Sequence, residues 1–115
     1  MKNRLLAITL ALLPLTSQAA GNIQNVTPIQ IYGSNFINFG VQNPPSDTCS
    51  YYNRQFRFDS TTAKGKTILS ILLAAKLGNK KVNVWYQSSS AAGTLQGAGC
   101  DRSTMSVVLN IGIAD

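Results

Sequence analysis

The chain has 115 residues, a mean hydropathy of +0.04 and a formal net charge of +6, and it contains neither His nor Glu. Without these two residue types, the usual general-base and nucleophile constellations cannot be assembled, so we do not expect an enzyme. The basic residues form no dense run, which disfavours nucleic-acid binding.

The N-terminus is typical of a secretory signal peptide. Lys2 and Arg4 precede an apolar run over residues 5–15, and a small-x-small cleavage site follows. The run is too short to cross a bilayer and remain there. We therefore predict that residues 1–19 are removed. Residues 20–115, with eight basic and four acidic side chains, should form a single domain that is secreted or periplasmic.

The two cysteines, Cys49 and Cys100, are predicted to form a disulfide. A secreted chain enters an oxidising compartment, and two cysteines allow one pairing. In the chain-entropy model, closing a loop of about 50 residues contributes roughly 4 kcal/mol, a large share of the stability of so small a domain. Metal binding by two thiols in a chain without His is disfavoured. We expect no metal site and no cofactor.

Alternation of apolar and polar residues predicts five strands, at residues 26–32, 36–41, 50–59, 80–87 and 105–113. We interpret residues 22–25 as a loose leader, and residues 42–48 and 88–99 as loops. One helix is predicted over residues 61–79, with an N-cap among residues 59–62 and a stop at Gly78 and Asn79. This order predicts an α+β fold, a small OB-like five-stranded antiparallel barrel with the helix between strands three and four.

The predicted helix carries more apolar surface than one sheet can cover. A helical wheel resolves it into three stripes. The apolar stripe contains Ile68, Ile71, Leu72 and Ala75, the leucine stripe contains Leu69, Leu73 and Leu77, and the small-residue stripe contains Ala63, Thr67, Ser70 and Ala74. A surface helix usually has one apolar stripe. We therefore predict that the leucine stripe is an interface with another copy of the chain. The alternative is a monomer in which the loop at residues 88–99 covers the helix.

The candidate ligand-binding residues combine aromatic rings with polar loop groups, as saccharide sites generally do. The aromatic candidates are Tyr51, Tyr52 and Trp85, and the loop before Cys49 contributes Ser46 and Asp47. The alternative role of each aromatic residue is in the core or in a subunit interface.

In its strand order, single apolar helix and disulfide, the chain resembles the B subunits of bacterial AB5 toxins, in particular the subtilase-cytotoxin and pertussis-like branch. The resemblance is architectural, and residues 68–86 and the run Cys49-Ser50-Tyr51-Tyr52 carry it best. It implies a ring of five copies with the helices lining a central channel and binding of host-cell glycans that are often sialylated. The partner is either a catalytic A subunit or, if the chain is a stand-alone relative of the family, no A subunit at all. The chain departs from the family in having no Glu and no His, which leaves the sugar specificity open.

Taken together, these features predict a secreted, self-associating binding subunit that recognises a cell-surface glycan and is not an integral membrane protein. The alternative is a periplasmic or secreted structural or inhibitor protein whose apolar helix docks onto a different protein. An envelope-stress or adhesion factor is a third interpretation that the sequence does not separate from these two.

Overall fold

The computed structural model describes residues 20–114. They form six strands and one helix: β1 Ala20–Val26, β2 Pro28–Gly33, β3 Phe36–Val41, β4 Phe56–Asp59, α1 Ala63–Leu77, β5 Val82–Gln87 and β6 Ser106–Ile113. The predicted signal peptide at residues 1–19 lies outside the described residues and stays a prediction.

The strands form one mixed sheet in the order β1-β5-β6-β4-β3-β2. The β4–β6 pair is parallel, and the other neighbours are antiparallel. Although β1 and β2 lie at opposite edges of the sheet, only Thr27 separates them in the chain. The sheet therefore curls until its edges approach each other, with Val26 paired to Val82 on one side and Pro28 paired to Val41 on the other.

The predicted fold class is wrong. An OB-like barrel of five antiparallel strands was expected, whereas the sheet has six strands, contains a parallel pair and has no ladder joining β1 to β2. The helix follows the fourth strand rather than the third. Residues 22–25, interpreted as a leader, belong to β1. They lack a clear apolar alternation, but their backbone pairs with β5, and such pairing leaves little trace in the local sequence.

The third predicted strand, at residues 50–59, is shorter than expected. Regular pairing begins at Phe56, and residues 51–54 form a tight turn instead. Phe56 and Phe58 are buried, which confirms the inward parity predicted for them. The difference arises because Tyr52 and Asn53 both adopt positive φ angles, 50° and 64°, which a regular strand cannot contain.

The helix prediction is confirmed, with small changes at both ends. The Thr62 side chain caps the N-terminus by accepting a hydrogen bond from the Gly65 amide at 2.9 Å, and the helix stops before Gly78. Gly65 has low helix propensity, but a Cβ built there would lie 1.7 Å from the Asp59 carbonyl oxygen. This glycine therefore allows the helix to approach the end of β4 closely.

The core lies inside the curl of the sheet and is closed by one face of α1. Phe56 is at its centre, with ring centroids 5.3 Å from Phe39 and 5.1 Å from Tyr86. Leu72 of the predicted apolar stripe is fully buried against this cluster. Burial of aromatic side chains of this size is a major stabilising contribution in a domain of about 95 residues.

A smaller cluster lies under the long loop after β5. It contains the Cys49–Cys100 disulfide, with Cα atoms 5.7 Å apart, packed against Met105. The predicted pairing is therefore confirmed, and a disulfide is compatible with an extracytoplasmic protein. Within residues 20–114, no helix has the length and apolar character needed to cross a membrane.

Candidate functional site

Arg54 lies at the centre of a cluster of three tyrosine rings on the outer face of the sheet, of which Tyr32 and Tyr52 are exposed and Tyr51 is partly buried. Its guanidinium carbon is 4.3 Å from the centroid of Tyr32, 5.9 Å from that of Tyr51 and 5.8 Å from that of Tyr52. The Nε of Arg54 donates a hydrogen bond to Oδ1 of the buried Asn38. Cation–π contacts and this bond fix the guanidinium plane, and they leave the terminal nitrogens as donors for a ligand.

A two-residue turn presents Arg54 and its neighbouring tyrosines. Tyr51 and Arg54 exchange two backbone hydrogen bonds of 2.9 Å across it. The two residues between them, Tyr52 and Asn53, have positive φ angles, the geometry of a type I′ turn. Asn tolerates this conformation, but it is unusual for a bulky aromatic residue. A strained backbone conformation of this kind is retained only where surrounding contacts stabilise it, and residues with such conformations are concentrated at binding sites.

Three contacts hold the strained turn in place. The backbone amide of Tyr52 donates to Oε1 of Gln96 at 2.8 Å. Ser50, just before the turn, forms backbone hydrogen bonds to the same loop, including one to the Thr94 carbonyl at 3.0 Å. Beneath the turn, Gly40 leaves room for the Asn53 carbonyl, since a Cβ at Gly40 would be 2.1 Å from that oxygen. The disulfide at Cys49 anchors the chain immediately before these contacts.

Two further arginines, Arg57 and Arg102, lie beside this cluster. Arg57 is directly opposite Asn38 in the β3–β4 ladder, and its guanidinium donates to the backbone carbonyls of Met105 and Ser103, both at 3.1 Å. These bonds hold the turn at residues 101–105 against the sheet. Arg102 is exposed in that turn, and it lines a depression with Arg57 and another with Arg54.

The three arginines line two adjoining depressions of about 230 and 440 Å³. Phe36, Asn38 and Arg102 line both, so the depressions form one continuous concavity. We call it the Arg–Tyr groove. Its lining includes Tyr32, Phe36, Asn38, Arg54, Arg57 and Arg102, and we include Tyr51 and Tyr52, whose rings contact Arg54 at its edge. None of its described residues is acidic, and the hydrogen bonds of Arg54 and Arg57 go to uncharged oxygens. The groove therefore presents three positively charged side chains beside exposed rings, and the nearby carboxylate of Asp101 offsets part of the charge of Arg57.

The carboxylates of Asp101 and Asp59, which lie near the groove, accept hydrogen bonds from residues of their own turns. Asp101 accepts hydrogen bonds from the Ser103 hydroxyl at 2.6 Å and from the Ser103 amide at 2.7 Å. Asp59, at the end of β4, is bonded in the same way to the hydroxyl and amide of Thr61. These bonds hold the pKa of each carboxyl below its ordinary value. Both groups stabilise local turns, and the nearby charge of Arg57 also contributes to the lowered pKa of Asp101.

Of the five predicted ligand-binding residues, the structure brings two to this groove. Tyr52 is 55 % exposed, and Tyr51 packs edge-on against it with ring centroids 4.8 Å apart. Trp85 faces outward on β5, as its strand parity predicted, but it lies on a different part of the sheet. Ser46 is exposed in the loop between β3 and β4, with no contact that links it to the groove.

The carboxylate of Asp47 is hydrogen-bonded within the protein instead of being available to a ligand. Its carboxylate accepts hydrogen bonds from the Tyr86 hydroxyl at 2.7 Å and from the Ser88 hydroxyl at 3.0 Å. Burial, together with the hydrogen bond to Asp47 and the charge of that carboxylate, raises the pKa of Tyr86 well above its ordinary value. These contacts tie the loop between β3 and β4 to β5. They account for an acidic side chain at this position without a ligand.

The leucine stripe of α1 becomes progressively more exposed along the helix. Leu69 is half-buried, Leu73 is 41 % exposed and Leu77 is 86 % exposed. Neither the sheet nor the loop at residues 88–99 covers the last two leucines, so the monomer leaves this stripe largely in solvent.

Sequence reasoning missed most of the groove. Tyr32, Phe36, Asn38 and Arg102 come from three separate segments, and nothing local in the sequence connects them. One signal was available: Arg57 alternates with the buried Phe56 and Phe58, which places its side chain on the outer face of the strand.

Comparison of the chain with protein-family models, with curated proteins and with solved structures finds no match. The resemblance to AB5 toxin B subunits therefore stays a prediction. Within the described residues, no cluster of three or more His, Cys, Asp or Glu side chains could hold a metal ion.

Proposed function

We propose that this chain is an extracytoplasmic carbohydrate-binding protein, and that the Arg–Tyr groove takes the acidic group of a cell-surface glycan. One observation carries the proposal: Arg54 is held by Asn38 among three tyrosine rings, in a concavity that two further arginines make positive. Guanidinium groups bind carboxylates and sulfates through paired, charge-assisted hydrogen bonds. Tyrosine rings pack against the apolar C–H face of a pyranose.

The proposed role is binding without catalysis. The described residues of the groove supply guanidinium, phenol and carboxamide groups, and they include no carboxylate or imidazole to act as a base. The acidic group of the ligand is a carboxylate or a sulfate ester, and the groove chemistry fits both.

The experiment measures binding of sialyllactose and of a sulfated disaccharide by isothermal titration calorimetry, with lactose as the neutral comparison. Binding of the acidic sugars should weaken with added salt. Arg54→Ala should weaken it about tenfold to a hundredfold, because hydrogen bonds to a charged group contribute about 1.5–3 kcal/mol. Arg54→Lys keeps the charge but loses the fork of donors, so its affinity should be intermediate.

Lys64→Ala is the matched control, since Lys64 is an exposed cation on α1 and is not part of the groove. It should leave the affinity unchanged. Absence of binding to any acidic saccharide contradicts the proposal. Equal loss in Arg54→Ala and Lys64→Ala also contradicts it, because that result describes a general attraction between a basic protein and an anion.

A second observation favours self-association. Leu73 and Leu77 are exposed on a helix face that carries Lys66 and is bordered by Lys76. The small side chains beside the two leucines, such as Ser70 and Ala74, permit close approach of another helix. We propose that the leucine stripe pairs with a second copy of the chain. The alternative from the sequence, docking onto a different protein, predicts a monomer.

The mass of the protein in solution, measured by light scattering over the micromolar range, distinguishes these cases. Leu73→Asp should convert an oligomer into a monomer that keeps its disulfide and its circular dichroism spectrum. Ser46→Asp adds the same charge at an exposed site on another part of the molecule and should leave the mass unchanged. A wild-type monomer throughout the range contradicts self-association.

A further inference from the structure

A second aromatic surface lies on the outer face of the sheet, across β1, β5 and β6. Trp85 is at its centre and is 37 % exposed. In the ladders it stands directly opposite Asn22 of β1 on one side and Asn110 of β6 on the other. Both asparagines are exposed. Since directly opposed residues have Cβ atoms about 5 Å apart, the two carboxamides flank the indole ring.

The neighbouring positions extend this surface without adding charge. Asn83 and Gln87 precede and follow Trp85 on the same face of β5. Gly112 is opposite Asn83, and a Cβ built there would meet nothing within 4 Å, so the surface beside the ring is open. Residues 20–115 contain eight lysines and arginines, yet none lies on this face of the three strands.

The pairing register shifts on both sides of the tryptophan. The β5–β6 ladder shifts between Trp85 and Tyr86, and the β1–β5 ladder shifts between Ile23 and Val26. Such irregularities increase local twist and redirect side chains, and they are over-represented near functional sites. Here they border the strand segment that presents the indole ring.

From this arrangement we infer that Trp85, Asn22 and Asn110 form a binding platform for a neutral pyranose of an oligosaccharide. The indole face packs against the C–H surface of a sugar ring. A carboxamide both donates and accepts hydrogen bonds, which matches a sugar hydroxyl that does the same. The Oδ1 of Asn110 already accepts a hydrogen bond from the Ile111 amide at 2.9 Å, so Asn110 would serve mainly as a donor through its NH₂ group. An uncharged surface imposes no requirement for an acidic group on the ligand.

This platform is separate from the Arg–Tyr groove. The groove lies across β2, β3 and β4 and the turn at residues 101–105, whereas the platform lies across β1, β5 and β6. The two surfaces differ in chemistry, since one presents three guanidinium groups and the other presents an indole ring with uncharged carboxamides. The platform does not depend on the function proposed for the groove, and each can fail without the other.

The single tryptophan of the chain makes the platform directly observable. Lactose, N-acetyllactosamine, chitotriose, maltotriose and mannotriose, all uncharged, are titrated separately while the tryptophan emission is recorded. At least one should produce a saturable change in emission. Calorimetry with that sugar should show about tenfold weaker binding for Trp85→Ala and about threefold to tenfold weaker binding for Asn22→Ala or Asn110→Ala.

Two controls keep the result specific. Trp85→Tyr retains an aromatic face and should recover most of the affinity, which a purely structural role of the indole would not explain. Arg54→Ala should bind the neutral sugar as the wild type does. If Trp85→Ala fails to fold, Asn22→Ala and Asn110→Ala still test the inference. Both asparagines are exposed, so we expect these variants to fold.

Three outcomes overturn the inference. The first is the absence of a saturable change in emission across the panel. The second is unchanged affinity in both asparagine variants. The third is a shift of the tryptophan emission with protein concentration, in parallel with an increase in mass, because another copy of the chain would then cover this face.

Discussion

Replacing Gly40 by Ala should displace the turn that carries Arg54. Gly40 lies on β3 beneath that turn, and a Cβ added there would be 2.1 Å from the Asn53 carbonyl oxygen and 3.3 Å from the Cα atom of Arg54. A carbon and a carbonyl oxygen in contact are normally about 3.3 Å apart, so the two backbones must separate by about 1.2 Å. Both are main chain, and no flexible side chain can yield instead.

The size of the effect follows from this clash. Overpacking of this kind costs about 1–3 kcal/mol, and for a domain of this length each 1 kcal/mol lowers the Tm by about 4–8 °C. Displacing the turn also moves Arg54 away from Asn38 and from the tyrosine rings. Binding of an acidic sugar should therefore weaken about tenfold or more, as expected when a charge-assisted bond of about 1.5–3 kcal/mol is lost.

Thermal denaturation and calorimetric titration with sialyllactose measure the two effects separately. Gly112→Ala is the control, because nothing lies within 4 Å of the added Cβ on β6. It should not lower the Tm, since an unhindered Ala restricts the unfolded chain, and it should leave the affinity for the acidic sugar unchanged. A Gly40→Ala protein with the stability and affinity of the wild type would refute the argument that this close approach positions the groove.

Replacing both Cys49 and Cys100 by Ser should lower the free energy of unfolding by roughly 4 kcal/mol in chemical denaturation. It should also weaken binding of the acidic sugar, since the disulfide anchors the turn at residues 51–54. Unchanged affinity would show that the turn keeps its conformation without the disulfide. Gly65→Ala should cost about 1–3 kcal/mol, because the new Cβ would lie 1.7 Å from the Asp59 carbonyl oxygen; an unchanged Tm would contradict this close packing. The pKa values of Asp59 and Asp101 are lowered by bonds from Thr61 and Ser103, so their stabilising contribution is present above the unfolded-state pKa and is lost as the pH falls below about 4. Denaturation curves between pH 2 and 5, roughly the range in which aspartates titrate, should therefore show stability rising with pH, and Asp101→Asn should flatten this dependence.

The sequence alone determined the features that depend on neighbouring residues. The helix was recognisable because its caps, Thr62 and Gly78, and its apolar spacing lie within one short segment. The disulfide was predictable because Cys49 has one available partner. The outward direction of Trp85 followed from the period-2 alternation of a single strand. Each of these inferences needs no knowledge of which segments pair.

Only the tertiary structure decided the sheet and the groove. The parallel β4–β6 pair and the pairing of β1 with β5 join segments that are far apart in the chain, and β1 carries no apolar alternation to reveal it. The groove brings Tyr32, Arg54 and Arg102 from three segments to one concavity. Its central turn also requires positive φ angles at Tyr52 and Asn53, a conformation that local preference disfavours and that contacts with Gln96 and Gly40 stabilise. Backbone pairing and cross-chain support of this kind depend on the folded chain as a whole, which is why local patterns did not predict them.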